Sequence, residues 1–415
     1  MQHQRHIQLY EHESIRVGEA RNGCTFTESD CNQLLQLNER QYPPYLQPVH
    51  RGIRTLNFVG MIQLPGLCLE ILPKTDRDDD TKNRGLLLEI LTRCQKIPSI
   101  RQSISLSSAA GSLSDHFICQ FLEEVEKLCR TGLVKKYHKE AANFSRFRGR
   151  MLIREQIRQN HAHKEKVFAE YHAFDQVHPL HDFIGKALGQ VPRINPEPKI
   201  SERAKQLLSY FPEANKNNLH DKFGQNWRLN QQDRHYQAAL QWAELILHHL
   251  APAMRKGTLL CKAFLFDMQK LFEDIIALDI SGVARMHGHD LLLQPSQDFW
   301  RQRKIRPDMV LNTKDGETII LDTKWKMLKN GLPDERDLKQ MYIYNRFFSA
   351  RRGVLIYPAQ SGLNAFSEQF LHHTEKMSCK VIFAPLSDGS GKRLNPELGH
   401  DLLRQILQEN QSALI

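Results

Sequence analysis

Asp308, Asp322 and Lys324 are the residues of this 415-residue sequence whose types and spacing best suit them to chemistry. They lie in IRPDMVLNTKDGETIILDTKWK, residues 305–326, where two β-rich runs flank a polar stretch at 313–317. If Lys314, Asp315 and Gly316 form a three-residue hairpin loop with Gly316 in the left-handed conformation, Asp308 faces Asp322 across the ladder. Side chains alternate along a strand, so Lys324 then shares the face of both acids. A two-residue turn at Asp315-Gly316 would shift the register by one and send the acids to opposite faces. The loop type therefore decides whether a site exists.

Two facing carboxylates repel, and both stay ionised at neutral pH most readily with a hard divalent cation between them. Asp308 and Asp322 are accordingly candidate ligands for Mg²⁺, which polarises a phosphodiester and lowers the pKa of a bound water. The neighbouring Lys324 ammonium orients that water and stabilises negative charge building on phosphorus. The set suits phosphodiester hydrolysis. Asp-x-Lys alone is common by chance. The Arg-Pro-Asp leading one run and the Ile-Ile-Leu-Asp leading the next make the pattern more specific.

The elements that must position these groups are legible on either side. A helix is expected over 264–276, with Phe264, Met268, Leu271, Phe272 and Ile275 on one face. Glu273 lies at the edge of that stripe, either turned toward the cleft or as an ordinary surface carboxylate beside Asp274. A second helix, over 336–348, carries Gln340 and Tyr344 four residues apart and so on one face. An amide and a phenol there either position a metal-bound water or a phosphate, or are the polar edge of a half-buried helix. Two further strands at 353–358 and 379–385, with a last helix over 396–409, complete a mixed sheet flanked by helices.

A chain of this length holds more than one domain. Residues 5–73 read as strand-rich, and 54–73 as two β-runs divided by Pro65-Gly66. The stretch 74–84 has no apolar residue and reads as a solvated loop. An amphipathic helix is expected over 115–129, with Phe117, Phe121, Val125 and Leu128 on its apolar face. The basic segment 135–164 interleaves aromatic residues with Arg and Lys, and suits a charged surface over a core somewhat better than a nucleic-acid contact. Residues 190–233 read as a connecting region with a short helix at 203–210, and 234–250 as a helix. The fold class is multidomain α+β: a β-rich domain at 1–135, a helical, basic middle region and linker at 136–233, and the site-bearing α/β domain at 234–415.

Composition limits the alternatives. With 40% hydrophobic and 25% charged residues the chain is an ordinary globular one, not a disordered one. No apolar run approaches the ~18 residues of a membrane span, and the N-terminus shows no signal-peptide core, so a cytoplasmic location and no membrane partner are expected. Eight cysteines without a C-x-x-C pair, and 20 histidines without zinc-site spacing, argue against a zinc site, an iron–sulfur cluster or a disulfide framework. A net charge of +10 favours a polyanionic partner.

Six segments in one order, VGMIQLPGLCLEILPK (59–74), FRGRMLIREQIRQN (147–160), FLFDMQKLFEDIIA (264–277), RPDMVL (306–311), IILDTKWK (319–326) and DLKQMYIY (337–344), resemble the McrC family, the nuclease partner in McrBC-type restriction of modified DNA. The resemblance covers most of the chain. It implies a C-terminal domain of the PD-(D/E)XK restriction-endonuclease-like kind that cuts DNA, many of which carry a Q-x-x-x-Y arrangement after the lysine strand. It further implies an N-terminal part that docks on a hexameric, McrB-like AAA+ GTPase and stimulates it. Asp308, Asp322 and Lys324 would be the catalytic core, with Glu273, Gln340 and Tyr344 in support. The chain has no G-x-x-x-x-G-K-[ST] loop, consistent with GTP being bound by the partner. Reading of the modified base would belong to the partner too. The sequence departs from shorter members in length, including 190–233. Two other readings remain: a stand-alone PD-(D/E)XK nuclease of repair or recombination, and a non-catalytic activator of an AAA+ motor.

Overall fold

The computed structural model describes residues 5–39, 43–64, 66–74, 80–98, 112–163, 165–176, 178–212, 229–250, 253–255, 258–260, 262–371, 376–388 and 393–408. They form a mixed α+β structure with several sheets and ten α-helices. The chain divides into two compact units, 111–262 and the combination of 5–110 with 263–415.

The second of these carries the candidate residues. Its first sheet contains β1 (Arg5–Tyr10), β2 (Phe58–Leu64), β3 (Leu67–Leu72) and β4 (Lys262–Asp267) in the order β1-β3-β2-β4. The expected pair of β-runs is there: β2 and β3 are antiparallel, and β1 lies parallel to β3. Every residue of β3 is buried, including Glu70. Arg84 of α1 (Asp80–Arg93) compensates that carboxylate with two hydrogen bonds of 2.8 Å.

At the other edge β4 approaches β2 closely. Gly60 has φ +129°, and a Cβ there would lie 2.1 Å from the Phe264 carbonyl oxygen. This pairing claims Phe264 for a strand, so α2 (Met268–Met286) begins four residues later than the apolar periodicity suggests. Asp267 caps it: its Oδ1 accepts from Gln269 N and from Asn57 Nδ2, both at 2.9 Å. Asn57 O also accepts from Met268 N at 2.8 Å. The helix that carries Glu273 therefore starts from the N-terminal sheet.

The larger sheet follows. Its elements are β5 (Asp290–Leu293), a hairpin of β6 (Gln297–Trp300) and β7 (Arg303–Ile305) outside the sheet, β8 (Met309–Asn312), β9 (Thr318–Thr323), α3 (Glu335–Phe347), β10 (Arg352–Pro358), β11 (Phe366–Gln369), β12 (Ser378–Ala384) and α4 (Leu398–Leu407). The order is β5-β8-β9-β10-β12-β11. The central strands β9, β10 and β12 are parallel and buried almost throughout, whereas the outer pairings are antiparallel. Met341 and Tyr344 of α3 pack with Val310, Ile320, Leu355 and Val381 of the sheet.

Glu11, just after β1, is 1% exposed. Its Oε2 accepts from Trp325 Nε1 at 2.9 Å and from Lys74 N at 3.1 Å, while Oε1 has no hydrogen-bond partner. Burial pushes this carboxyl up to about 7. The Trp325 ring in turn lies 5.3 Å from that of Phe272 on α2. The N-terminal sheet thus grips the chain directly after Lys324.

The unit at 111–262 pairs the strands Lys136–Phe144 and Val167–Asp175 and contains the helices Leu113–Thr131, Ile153–Asn160, Pro179–Ile194, Pro198–Leu208 and Gln237–Leu245. Phe117, Phe121, Val125 and Leu128 are buried, as the amphipathic pattern requires. Within the basic segment Tyr137, Phe147, Ile153 and Ile157 are exposed, and Lys164 lies outside the described residues.

Three further expectations differ from the structure. The expected loop at 74–84 gives way at Asp80 to α1, and 75–79 lie outside the described residues. Much of 190–233 is helix within the 111–262 unit rather than connector, with 213–228 outside the described residues. The domain limits set after 135 and 233 both fall inside that unit, and the contact between Asn57 and Asp267, 210 residues apart, joins the two segments that flank it, which no local pattern reveals. The described cysteines are all free, with Cys261 outside them. Among the described residues no helix is long and apolar enough to cross a membrane.

Two outcomes follow. Gly60→Ala should destabilise the full chain by roughly 2–4 kcal/mol, since it adds both backbone strain and a clash; an unchanged Tm would contradict the β2–β4 approach. Glu11 stays protonated in the fold up to about pH 7 but ionises near 4.5 when unfolded, so its contribution to stability is lost as pH rises between those values. Glu11→Gln should remove on the order of 3 kcal/mol of that fall, read as a smaller Tm difference between pH 5 and pH 8 than in the parent; an unaltered difference would show that Glu11 does not titrate there.

Candidate active site

The β8–β9 hairpin has the three-residue loop. Gly316 has φ +86°, Gly316 N donates to Thr313 O at 3.0 Å, and Thr313 N donates to Glu317 O at 2.8 Å. Met309 pairs with Leu321 and Asn312 with Thr318. That register puts Asp308, one residue before β8, opposite Asp322. The condition on which the sequence argument turned is met.

Asp308 is half-buried, and its Oδ2 accepts from Thr323 N at 2.7 Å and from Thr323 Oγ1 at 2.8 Å. Asp322 is 1% exposed, with Lys324 Nζ 2.5 Å from its Oδ2. That oxygen has an ionic neighbour but no hydrogen bond of acceptable geometry. Burial, and then the negative charge of Asp308, push the Asp322 carboxyl up to about 7 against the pull of Lys324. Burial alone would depress the Lys324 ammonium, but Asp322 beside it outweighs that effect and holds it above its ordinary value.

The lysine is held from two further directions. Its Nζ donates to Gln340 Oε1 at 3.1 Å, Gln340 Nε2 donates to Tyr344 Oη at 2.7 Å, and Tyr344 Oη donates to the Arg306 carbonyl at 3.0 Å. The Q-x-x-x-Y pair on α3 thus links the Lys324 head to the backbone just ahead of Asp308. Along the main chain, Gln269 Nε2 donates to Thr323 O at 2.8 Å and Gln269 Oε1 accepts from Trp325 N at 2.7 Å. One side-chain amide from α2 therefore acts as a strand partner on both sides of Lys324.

Glu273 is half-buried on α2 and close enough to Asp308 for mutual repulsion, which adds to burial in raising its carboxyl. Gln294 Nε2 donates to Glu273 Oε1, and Gln294 N donates to Asp308 O at 2.8 Å. The structure therefore brings together Asp308, Asp322, Lys324, Gln340 and Tyr344 in one polar network and sets Glu273 at its margin. Among the described residues no three His, Cys, Asp or Glu side chains group as the ligands of a metal ion.

Sequence reasoning missed Thr323, Gln269, Gln294 and the buried Asp337. Asp337 accepts from Tyr357 Oη at 2.7 Å and pairs with Lys326 Nζ at 2.7 Å. Thr323 was within reach, being the middle residue of Asp-x-Lys with a hydroxyl that can serve the facing acid. Gln269 gave no local signal, because its partners lie 54 and 56 residues away.

Residues 53–358 match the family model described as McrBC 5-methylcytosine restriction system component. The fold is similar to that of a chain in the refined half-complex from a tetradecameric assembly of Thermococcus gammatolerans McrB AAA+ hexamers with bound McrC. That match has a TM-score of 0.73 at 18% identity and covers 96% of this chain and 99% of that one. A chain of the Thermococcus gammatolerans McrBC complex is similar at TM-score 0.50 and 18% identity, over 66% of this chain and 86% of that one. No curated protein matches the sequence. Because the family match spans well over half of the sequence, this chain belongs to the McrBC 5-methylcytosine restriction system component family.

Proposed function

We propose that this chain is the McrC-type nuclease subunit of a modification-dependent restriction system, a Mg²⁺-dependent endonuclease of the PD-(D/E)XK kind whose substrate is DNA. The observation that carries this reading is the apposition of Asp308 and Asp322 across the β8–β9 hairpin with Lys324 Nζ 2.5 Å from Asp322. A buried Asp322 oxygen without a hydrogen bond, facing a second carboxylate, is what a divalent-cation site requires of its ligands. Two carboxylates suffice for Mg²⁺, which commonly keeps several of its waters. Asp308 and Asp322 would hold the ion, and when bound it would supply Lewis acidity and a more acidic water.

The chain's own groups do the rest. Lys324 presents a fixed positive charge to the phosphate and to the attacking water. Gln340 and Tyr344 hold that ammonium in place, and Gln269 fixes the backbone on either side of it. Thr323 holds the Asp308 carboxylate against the lysine strand. Glu273, at the margin, adds negative charge that the cation would relieve.

The reading extends to a partner. In the similar assembly McrC is bound to McrB AAA+ hexamers. For this chain we assign docking on such a GTPase, and stimulation of it, to the N-terminal part. GTP binding and recognition of the modified base are assigned to the partner, and the whole to the cytoplasm.

Asp322→Asn removes a proposed metal ligand while leaving the hairpin intact. With the cognate GTPase, GTP, Mg²⁺ and methylated duplex DNA, the parent chain should cut. Asp322→Asn should fall by at least about a hundredfold while still stimulating GTP hydrolysis to within about twofold. Cleavage at the parental rate by Asp322→Asn would remove the metal-site assignment. Strong cutting by the parent without its partner would favour a stand-alone nuclease.

A further inference from the structure

The β6–β7 hairpin, which feeds directly into Asp308, is exposed along nearly its whole length. It shows Trp300 62% exposed and Phe299 49% exposed. From Gln297 to Arg306 it carries four cations, Arg301, Arg303, Lys304 and Arg306, against one anion, Asp298, a net charge of +3. Asp298 lies 3.8 Å from Lys304. Arg301 and Arg303 have no carboxylate partner among the described residues. The exposed indole is thus bordered by two guanidiniums whose charge no carboxylate neutralises among the described residues.

The hairpin's geometry sorts these side chains. Asp298 pairs with Lys304 and Trp300 with Arg303, leaving Phe299 as the extra residue of a β-bulge. Phe299 packs against Phe347 at the end of α3, with ring centroids 5.5 Å apart, and so anchors the ribbon to the helix that holds Lys324. Across the ladder Trp300 and Arg303 share a face. Arg301 lies over the Trp300 ring, 5.2 Å from its centroid. The free face is therefore one aromatic plate bordered by two arginines. Tyr344 fixes the exit of the ribbon through the Arg306 carbonyl.

We infer that this ribbon grips duplex DNA beside the scissile phosphate, an inference that rests on the nuclease reading above. Arg301 and Arg303 neutralise backbone phosphates, and Trp300 packs on a deoxyribose between them. A two-stranded ribbon has the width to enter a groove. Its connection to Asp308 through Arg306 and Pro307 ties the held DNA to the carboxylate pair. Charge complementarity favours a polyphosphate over a protein surface as the occupant.

The test uses the full chain with Asp322→Asn as parent, so that bound DNA is not cut, and a fluorescent duplex titrated by anisotropy across a range of salt concentrations. Adding Arg301→Ala with Arg303→Ala should weaken binding by about tenfold or more and lower the slope of log K against log salt by about 1.8, roughly 0.9 per phosphate contact. The pair Arg301→Lys with Arg303→Lys should restore the slope. Trp300→Ala should cost about tenfold with the slope unchanged. Melting temperatures equal to the parent's are expected, since the removed groups pack on little.

Parental affinity and slope in the Arg and Trp variants would overturn the inference. So would absence of duplex binding by the parent, or loss of association with the GTPase while DNA binding is kept. The nuclease reading fails on a different result: no cleavage by the unsubstituted chain with partner, GTP and Mg²⁺, even where the ribbon variants lose DNA.

Discussion

Two carboxylates on facing strands repel each other, and burying one of them raises the cost of ionisation further. In this chain that constraint is concentrated at Asp322, whose carboxyl sits near neutrality because of burial and the charge of Asp308. Lys324 relieves part of the repulsion and leaves one buried oxygen without a hydrogen bond. An arrangement of this kind is costly to keep for stability alone, since desolvation and the repulsion between the two acids both oppose ionisation at a buried position. A bound cation would offset that cost, and that asymmetry is the physical basis of the proposed activity.

Much of the surrounding structure bears on that one hairpin. Gln269 bonds to the main chain before and after Lys324, and it stands on a helix whose N-terminus is fixed by Asn57. Glu11 holds Trp325 from the other side of the unit. Residues from the first 60 positions and from the last third of the sequence thus meet around a single lysine. The N-terminal sheet is part of the scaffold of the site as well as a candidate for partner docking, so changes in it are expected to reach the lysine strand. Glu11 and Trp325 form a short hydrogen-bonded link between that sheet and the lysine strand.

What the sequence disclosed follows from how local each signal is. The three-residue loop was written in Lys314, Asp315 and Gly316, and it fixed the register that brings Asp308 to Asp322. Gln340 and Tyr344 needed only helical spacing. Helix α2 was displaced by four residues because Phe264 satisfies either a helical stripe or a strand, and the strand wins through pairing with β2. The charged run after Lys74 reads as solvated loop, yet from Asp80 onward it belongs to a helix whose Arg84 serves buried Glu70. The division into domains was hidden for the same reason as Gln269, since both depend on partners far away in sequence. The bulge that frees Trp300 from the Phe299 anchor was likewise not legible, because it depends on the register of a short, exposed hairpin.

The proposal stands on a cation bridging two acids, and that can be observed without any assay of cleavage. Crystals of the full chain soaked in Mn²⁺, with anomalous differences measured at the manganese edge, test it directly. The account requires a peak bonded to one oxygen from Asp308 and one from Asp322. Manganese found only elsewhere on the chain, or two acids that remain uncoordinated at saturating ion, would contradict it.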